Sequence, residues 1–127
     1  IMKANVDRYK KVKVVVPDSY HQVIKIKSKT CAWTHGHMSG GSGNPETKIE
    51  NWWKGQMYGH LPSGEAEILV TGHYHHFRSK QQGNRTWFQT PSLDKSIDFT
   101  SRTGLWSHPG VLTFTVNKKG WDNLAIL

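Results

Sequence analysis

Closely spaced histidines form two short clusters, and each cluster follows a segment with strand character. The first is Thr34–His37, with the sequence THGH, and the second is Thr71–His76, with the sequence TGHYHH. Together they hold five of the eight histidines in the chain. Neutral imidazole is the commonest protein ligand for zinc and suits many other transition metals. The two clusters therefore predict a metal site, and histidines with a purely structural role are the alternative.

The segments before the two clusters must position these side chains. Glu67–Val70 is a short apolar run, which is typical of a buried strand, and Thr30–Trp33 precedes the first cluster in the same way. Residues two apart in an extended segment point to the same side, so His73 and His75 are predicted to approach one centre or two adjacent centres. Side chains at strand ends are held by rigid backbone, which suits a binding site.

The order of the two motifs resembles that of a known enzyme family. THGH after a strand, followed about one helix later by a strand and GHxH, resembles the last two metal-binding motifs of the calcineurin-like metallophosphoesterases. The resemblance covers about residues 14–116. It implies that His35, His73 and His75 are metal ligands.

The same resemblance implies the roles of the neighbouring groups. His35 and His73 would hold one of two divalent metal ions and His75 the other, with Mn, Zn, Fe or Ni as the ions that suit such ligands. His37 and His76 would each orient a metal ligand or contact the phosphate of a substrate, and the alternative for each is an exposed histidine without a role. Arg78 is expected as a further substrate contact beside His76.

Three earlier motifs of that family do not occur in this chain. They are Asp-x-His, Gly-Asp-x-x-Asp and Gly-Asn-His-Asp/Glu, and they stand upstream of the two histidine motifs. We therefore expect residues 1–127 to form a single partial domain. The expected fold class is α/β, the C-terminal half of a metallophosphoesterase-type β-sandwich flanked by helices, with a mixed sheet and several hairpins.

The remaining elements follow from periodicity and from turn signals. Asn44 and Pro45 mark the start of an amphipathic helix that ends near Gly59. A long loop with at most one helical turn is expected over 94–108, and a loop over 61–64. The other expected elements are a helix over 1–10, a strand over 11–16, and hairpins over 22–35, 76–89 and 110–127.

The composition of the chain limits the kinds of partner that it is expected to bind. The formal charge of +8 and the pI of 9.8 favour polyanions such as nucleotides or nucleic acid, although a solvated basic face explains the charge equally well. The single cysteine, Cys31, excludes an internal disulfide and is typical of a reducing compartment. No apolar run approaches the roughly 20 residues that span a bilayer, so no membrane partner is expected. A cytoplasmic protein is the prediction.

The predicted function is metal-dependent phosphoester hydrolysis in combination with the N-terminal half of the same protein. The enzyme would be a phosphodiesterase or nuclease, or a phosphatase, and the isolated chain would be inactive or weakly active. Two alternatives remain at this point. One is a non-catalytic basic module that binds nucleic acid or protein, and the other is a scaffold version of the phosphoesterase fold.

Overall fold

A computed structural model describes residue 9 and residues 11–95, 97–104 and 106–127 of the chain. The helix predicted over 1–10 lies outside the described residues, apart from Tyr9, which has no regular secondary structure. The side chains of Phe99 and Thr103 are also outside the description.

A five-stranded mixed sheet forms the centre of the structure. Its strands are β1 (His21–Ile26), β2 (Lys29–Thr34), β3 (Ile68–Thr71), β4 (Arg78–Gln82) and β5 (Arg85–Gln89). Their order across the sheet is β1-β2-β3-β5-β4. β2, β3 and β5 run parallel, whereas β1 and β4 pair antiparallel as the outer strands of two tight hairpins. The predicted mixed sheet with hairpins is confirmed.

A second, two-stranded sheet packs on one face of the central sheet. It consists of β6 (Leu112–Asn117) and β7 (Gly120–Ile126). The ring of Phe88 lies 5.1 Å from that of Phe114 and 5.0 Å from that of Trp121, measured between centroids. Trp121 also donates its indole N–H to Thr86 Oγ1 at 2.8 Å. The two sheets are therefore joined by aromatic packing and by a hydrogen bond.

Helix α1 (Pro45–Tyr58) covers the other face of the central sheet. Asn44 caps its first turn by accepting the N–H of Thr47 at 2.9 Å, as the sequence predicts. The buried side chain of Ile49 packs with residues of β2, β3 and β5, and Trp52 and Trp53 pack around this group. Successive residues along each strand therefore point alternately toward the helix and toward the second sheet. The result is a helix–sheet–sheet arrangement.

Three expectations for individual segments differ from the structure. The strand predicted over 11–16 is wrong, because this segment pairs with no described strand and exposes Val12, Val15 and Val16. The segment 61–64, predicted as a loop, lies largely within a 3-10 turn, Pro62–Glu65, whose first residue is proline. The segment over 94–108 contains a short helix, α2 (Ile97–Thr103). None of the helices in the described ranges is long and apolar enough to cross a membrane.

Candidate functional site

The carboxyl ends of the three parallel strands meet at one edge of the central sheet. Thr34, Thr71 and Gln89 lie opposite one another in the strand register. The hydrogen bonding continues beyond the strands, because the Gly72 N–H donates to His35 O at 3.2 Å and the Thr90 N–H donates to Thr71 O at 2.8 Å. The two histidine motifs are thereby fixed side by side, at the edge where sheets of this kind commonly bind ligands.

Three histidine rings converge at this edge, and we call His35, His37 and His73 the histidine cluster. His35 Nε2 lies 3.1 Å from His73 Nδ1, which is hydrogen-bonding distance. The ring of His37 lies 5.1 Å from that of His35 and 6.3 Å from that of His73. All three side chains are exposed to solvent. The cluster is therefore open to a ligand from solution.

Gly36 makes the turn that returns the chain from His35 to His37. Its φ of +94° lies in the region that favours glycine, and its buried backbone passes close to Thr71 and Ile49. The buried hydroxyl of Ser39 donates to Gly36 O and closes the turn. A side chain at position 36 would strain this turn, so glycine is required by the backbone conformation.

Two site histidines have an uncommon backbone conformation. His73 has φ of 69° and His75 has φ of 59°. Left-handed conformations are unfavourable for residues with a Cβ and are found preferentially at functional sites. Such strain persists only where the surrounding structure imposes it.

His75 lies beside the cluster, next to the segment that follows β5. The Ser92 N–H donates to His75 O at 3.4 Å, which joins His75 to the carboxyl end of the third parallel strand. A charge on His75 also opposes protonation of both His73 and His76.

The electrostatics of the site favour a neutral His73. Partial desolvation of this exposed side chain lowers its pKa below the usual value, and the charges of His35, His37 and His75 lower the pKa further. A neutral imidazole keeps a nitrogen lone pair, and this is the form that binds metal.

His76 and Arg78 lie farther along, where the chain enters β4. Burial lowers the pKa of His76 first, followed by the charges of Arg78 and His75. His76 O accepts a hydrogen bond from the Gln89 side-chain amide at 2.6 Å. Arg78 Nη1 is buried without a hydrogen-bond partner among the described residues. The structure therefore places these two residues with His75 and Gln89, and their expected role as substrate contacts stays a prediction.

Sequence reasoning missed His21, which also lies near the cluster. It stands opposite Thr34 in the β1–β2 register, and its Nδ1 lies 3.0 Å from Thr34 Oγ1. Burial lowers the pKa of His21, and the charge of His37 acts in the same direction. Because the tight turn at Lys27 sets the β1–β2 pairing, counting residues outward from this turn along both strands would have placed His21 opposite Thr34.

The described residues fit a metal centre only in part. The 3.1 Å between His35 Nε2 and His73 Nδ1 suits two ligands on one ion, since each bond would be about 2 Å long. However, within the described ranges no group of three or more His, Cys, Asp or Glu side chains is arranged to hold a metal ion. These residues alone therefore do not form the expected two-metal centre.

Comparison with known proteins identifies the fold. No family model matches the chain, and no curated protein matches it significantly. The structure is similar to zinc-bound Vps29 from Entamoeba histolytica, with 21% identity and a TM-score of 0.59 over 80% of this chain. It is also similar to an archaeal phosphodiesterase, with 17% identity and a TM-score of 0.51 over 85% of this chain. The fold class predicted from the sequence, a metallophosphoesterase-like α/β fold, is confirmed.

The chain matches only part of each of these two solved structures. The chain covers 49% of the Vps29 structure and 51% of the archaeal phosphodiesterase, so it spans about half the length of each.

Proposed function

We propose that this chain is the part of a metal-dependent phosphoesterase that supplies imidazole ligands. The substrates would be phosphodiesters, including nucleic acid, or phosphate monoesters. The observation that carries the proposal is the pairing of His35 and His73 at the carboxyl ends of β2 and β3. The metal-ligand roles of His35, His73 and His75 belong to this proposal, as do the supporting role of His37 and the substrate contacts of His76 and Arg78.

Two further features support this function. The lowered pKa of His73 keeps its imidazole in the ligand form near neutral pH. The left-handed backbone of His73 and His75 is an unfavourable conformation that is typical of residues held for function. In addition, one protein of similar fold is a phosphodiesterase, and another binds zinc.

The proposal also requires ligands that the described residues do not provide. We propose that residues 1–127 are the C-terminal portion of a longer domain, and that its N-terminal portion contributes carboxylates to the site. A pair of bound divalent ions would supply an activated water and neutralise phosphoryl oxygens. This chain's own task is to hold neutral imidazoles at the sheet edge.

The test is hydrolysis of bis(p-nitrophenyl) phosphate with added Mn²⁺ or Zn²⁺. The 127-residue chain is compared with the longer protein that we propose contains it. We expect the longer protein to be active and His73→Ala to reduce its activity by about 100-fold or more, because ligand loss removes metal catalysis. His60→Asn is the matched control, since His60 is an exposed histidine outside the cluster. Full activity of His73→Ala, or of the 127-residue chain alone, would contradict the proposal.

A non-catalytic binding module is the second candidate. The absence of a three-donor group among the described residues favours it, and the charge of +8 suits a polyanionic partner. It predicts oligonucleotide binding that persists with EDTA, weakens with salt and is unchanged by His73→Ala.

A further inference from the structure

A cavity of about 230 Å³ lies between helix α1 and the β4–β5 hairpin. Ile49, Trp53 and Met57 of the helix form one side, and Trp87 of β5 contributes to the other. None of its lining residues is a histidine, so this cavity is separate from the histidine cluster. It is smaller than the roughly 300 Å³ or more of a pocket that encloses a drug-sized ligand, so it would enclose one ring system and leave the rest of the ligand at its mouth.

The two tryptophans present carbon surface to the cavity. Trp53 donates its indole N–H to Ser63 O at 2.9 Å, and Trp87 donates its own to Thr71 Oγ1 at 2.9 Å. Because both N–H groups are already bonded within the protein, their contribution to the cavity is apolar and aromatic. Such surfaces bind planar rings by stacking and by burial of apolar area.

The charges around the cavity are not balanced. Lys80 forms ion pairs with Glu46 at 2.7 Å and with Glu50 at 3.1 Å. Lys54 and Arg85 also line the cavity, and neither forms an ion pair with a carboxylate in the described part of the chain. Three cations (Lys54, Lys80 and Arg85) against two carboxylates (Glu46 and Glu50) leave one net positive charge beside an apolar space.

Arg85 is held in place at this cavity. Its Nη1 donates to Gly64 O at 2.6 Å, and its guanidinium lies 5.5 Å from the ring centroid of Trp53. A guanidinium has five N–H donors, so further donors remain for an anion after this bond. Arg85 is therefore fixed in position and still has N–H donors available for an anion.

We propose that the cavity binds a nucleoside monophosphate. The base packs against Trp53, Met57 and Trp87, and the phosphate is bound by Lys54 and Arg85. The two unpaired cations favour an anion over a neutral aromatic compound, and the small volume favours one base over a longer oligonucleotide. This proposal does not depend on the phosphoesterase function, because it involves different residues.

The experiment is an NMR titration of the 127-residue chain with AMP in buffer containing EDTA. We expect saturable shifts of the Trp53 indole N–H and the Met57 methyl group. Adenosine alone and inorganic phosphate alone should each bind at least 10-fold more weakly, because each lacks one half of the contacts.

Charge variants separate this site from general attraction to a basic protein. Lys54→Glu should raise the Kd for AMP at least 5-fold. Lys118→Glu makes the same charge change at an exposed turn away from the cavity, and it should alter the Kd by less than 2-fold. Equal losses in the two variants would overturn the proposal. Shifts confined to the histidine cluster, equal binding of inorganic phosphate, or occupation of the cavity by a second copy of the chain would also overturn it.

Discussion

Three properties are combined in His73. Its side chain is exposed, its pKa is lowered by partial desolvation and by neighbouring histidines, and its backbone is left-handed. His60 is also exposed and left-handed but lies outside the histidine cluster, so the backbone conformation alone does not mark a functional residue. The proposed ligand role accounts for the combination of properties at His73, because a neutral ring is held in a fixed direction against His35.

Backbone strain at His73 can be measured by substitution. Glycine tolerates a φ of 69°, whereas alanine does not, so His73→Gly should be more stable than His73→Ala by about 1 to 2 kcal/mol. Chemical denaturation of both variants gives this difference. At His35, which is not among the residues with positive φ, the same pair of substitutions should favour alanine. Equal stabilities at position 73 would show that the backbone there is not strained.

The lowered pKa values of His21, His73 and His76 predict destabilisation in acid. Each of these pKa values lies below the ordinary value of 6.5 in the folded protein. At a pH between a histidine's folded pKa and 6.5, the unfolded chain therefore binds more protons than the folded protein. The stabilising contribution is present above pH 6.5 and is lost as the pH falls through the folded values. The free energy of unfolding should therefore decrease between pH 7.5 and 5.5.

One variant isolates part of this pH effect. His76→Gln removes one of the three groups, so it should reduce the decrease in stability, while the exposed-site control His60→Asn should leave it unchanged. Denaturant unfolding at several pH values provides the measurement. An identical decrease in His76→Gln would show that His76 does not contribute.

At the scale of elements, local signals predicted most of the structure. Asn44 and Pro45 located the start of α1, and the turn at Gly83 located the β4–β5 hairpin. The strand prediction over 11–16 was wrong because a strand requires a partner strand, and β propensity alone does not supply one. The 3-10 turn at Pro62–Glu65 depends on its packing against α1, which no local pattern shows.

Two glycines test how α1 is packed. A Cβ on Gly55 would meet nothing within 4 Å, so Gly55→Ala should stabilise the helix by about 0.5 to 1 kcal/mol. A Cβ on Gly64 would lie 2.5 Å from backbone atoms of Gln56 and Met57, so Gly64→Ala should destabilise by about 1 to 3 kcal/mol. Thermal unfolding distinguishes these opposite effects. A stable Gly64→Ala variant would show that the 3-10 turn is not tightly packed on the helix.

At the scale of the whole molecule, part of the candidate site could be predicted and part could not. The strand character before each histidine motif predicted that His35 and His73 lie at strand ends, whereas the parallel pairing of β2 and β3 that brings them to one edge was seen only in the structure. The approach of His21 follows from hairpin register. The left-handed backbone of the histidines and the cavity beside Trp53 could not be predicted, because they arise from packing between segments distant in sequence.

The exposed apolar segment and the incomplete ligand set have the same explanation in our account. Val12, Val15 and Val16 are exposed, and the described residues lack a three-donor metal group. A further portion of the domain would cover the exposed valines and would supply the missing metal ligands. The chain covers only about half of each similar solved structure, which is consistent with this proposal.

The central claim is that His35, His73 and His75 are ligands of a divalent metal ion. Calorimetric titration of Zn²⁺ into the 127-residue chain at pH 7.5 tests this most directly. We expect one binding event whose Kd rises by about 10-fold or more in His35→Ala and in His73→Ala, and is unchanged in His60→Asn. Equal binding by all these proteins, or no binding by the unaltered chain, would contradict the account.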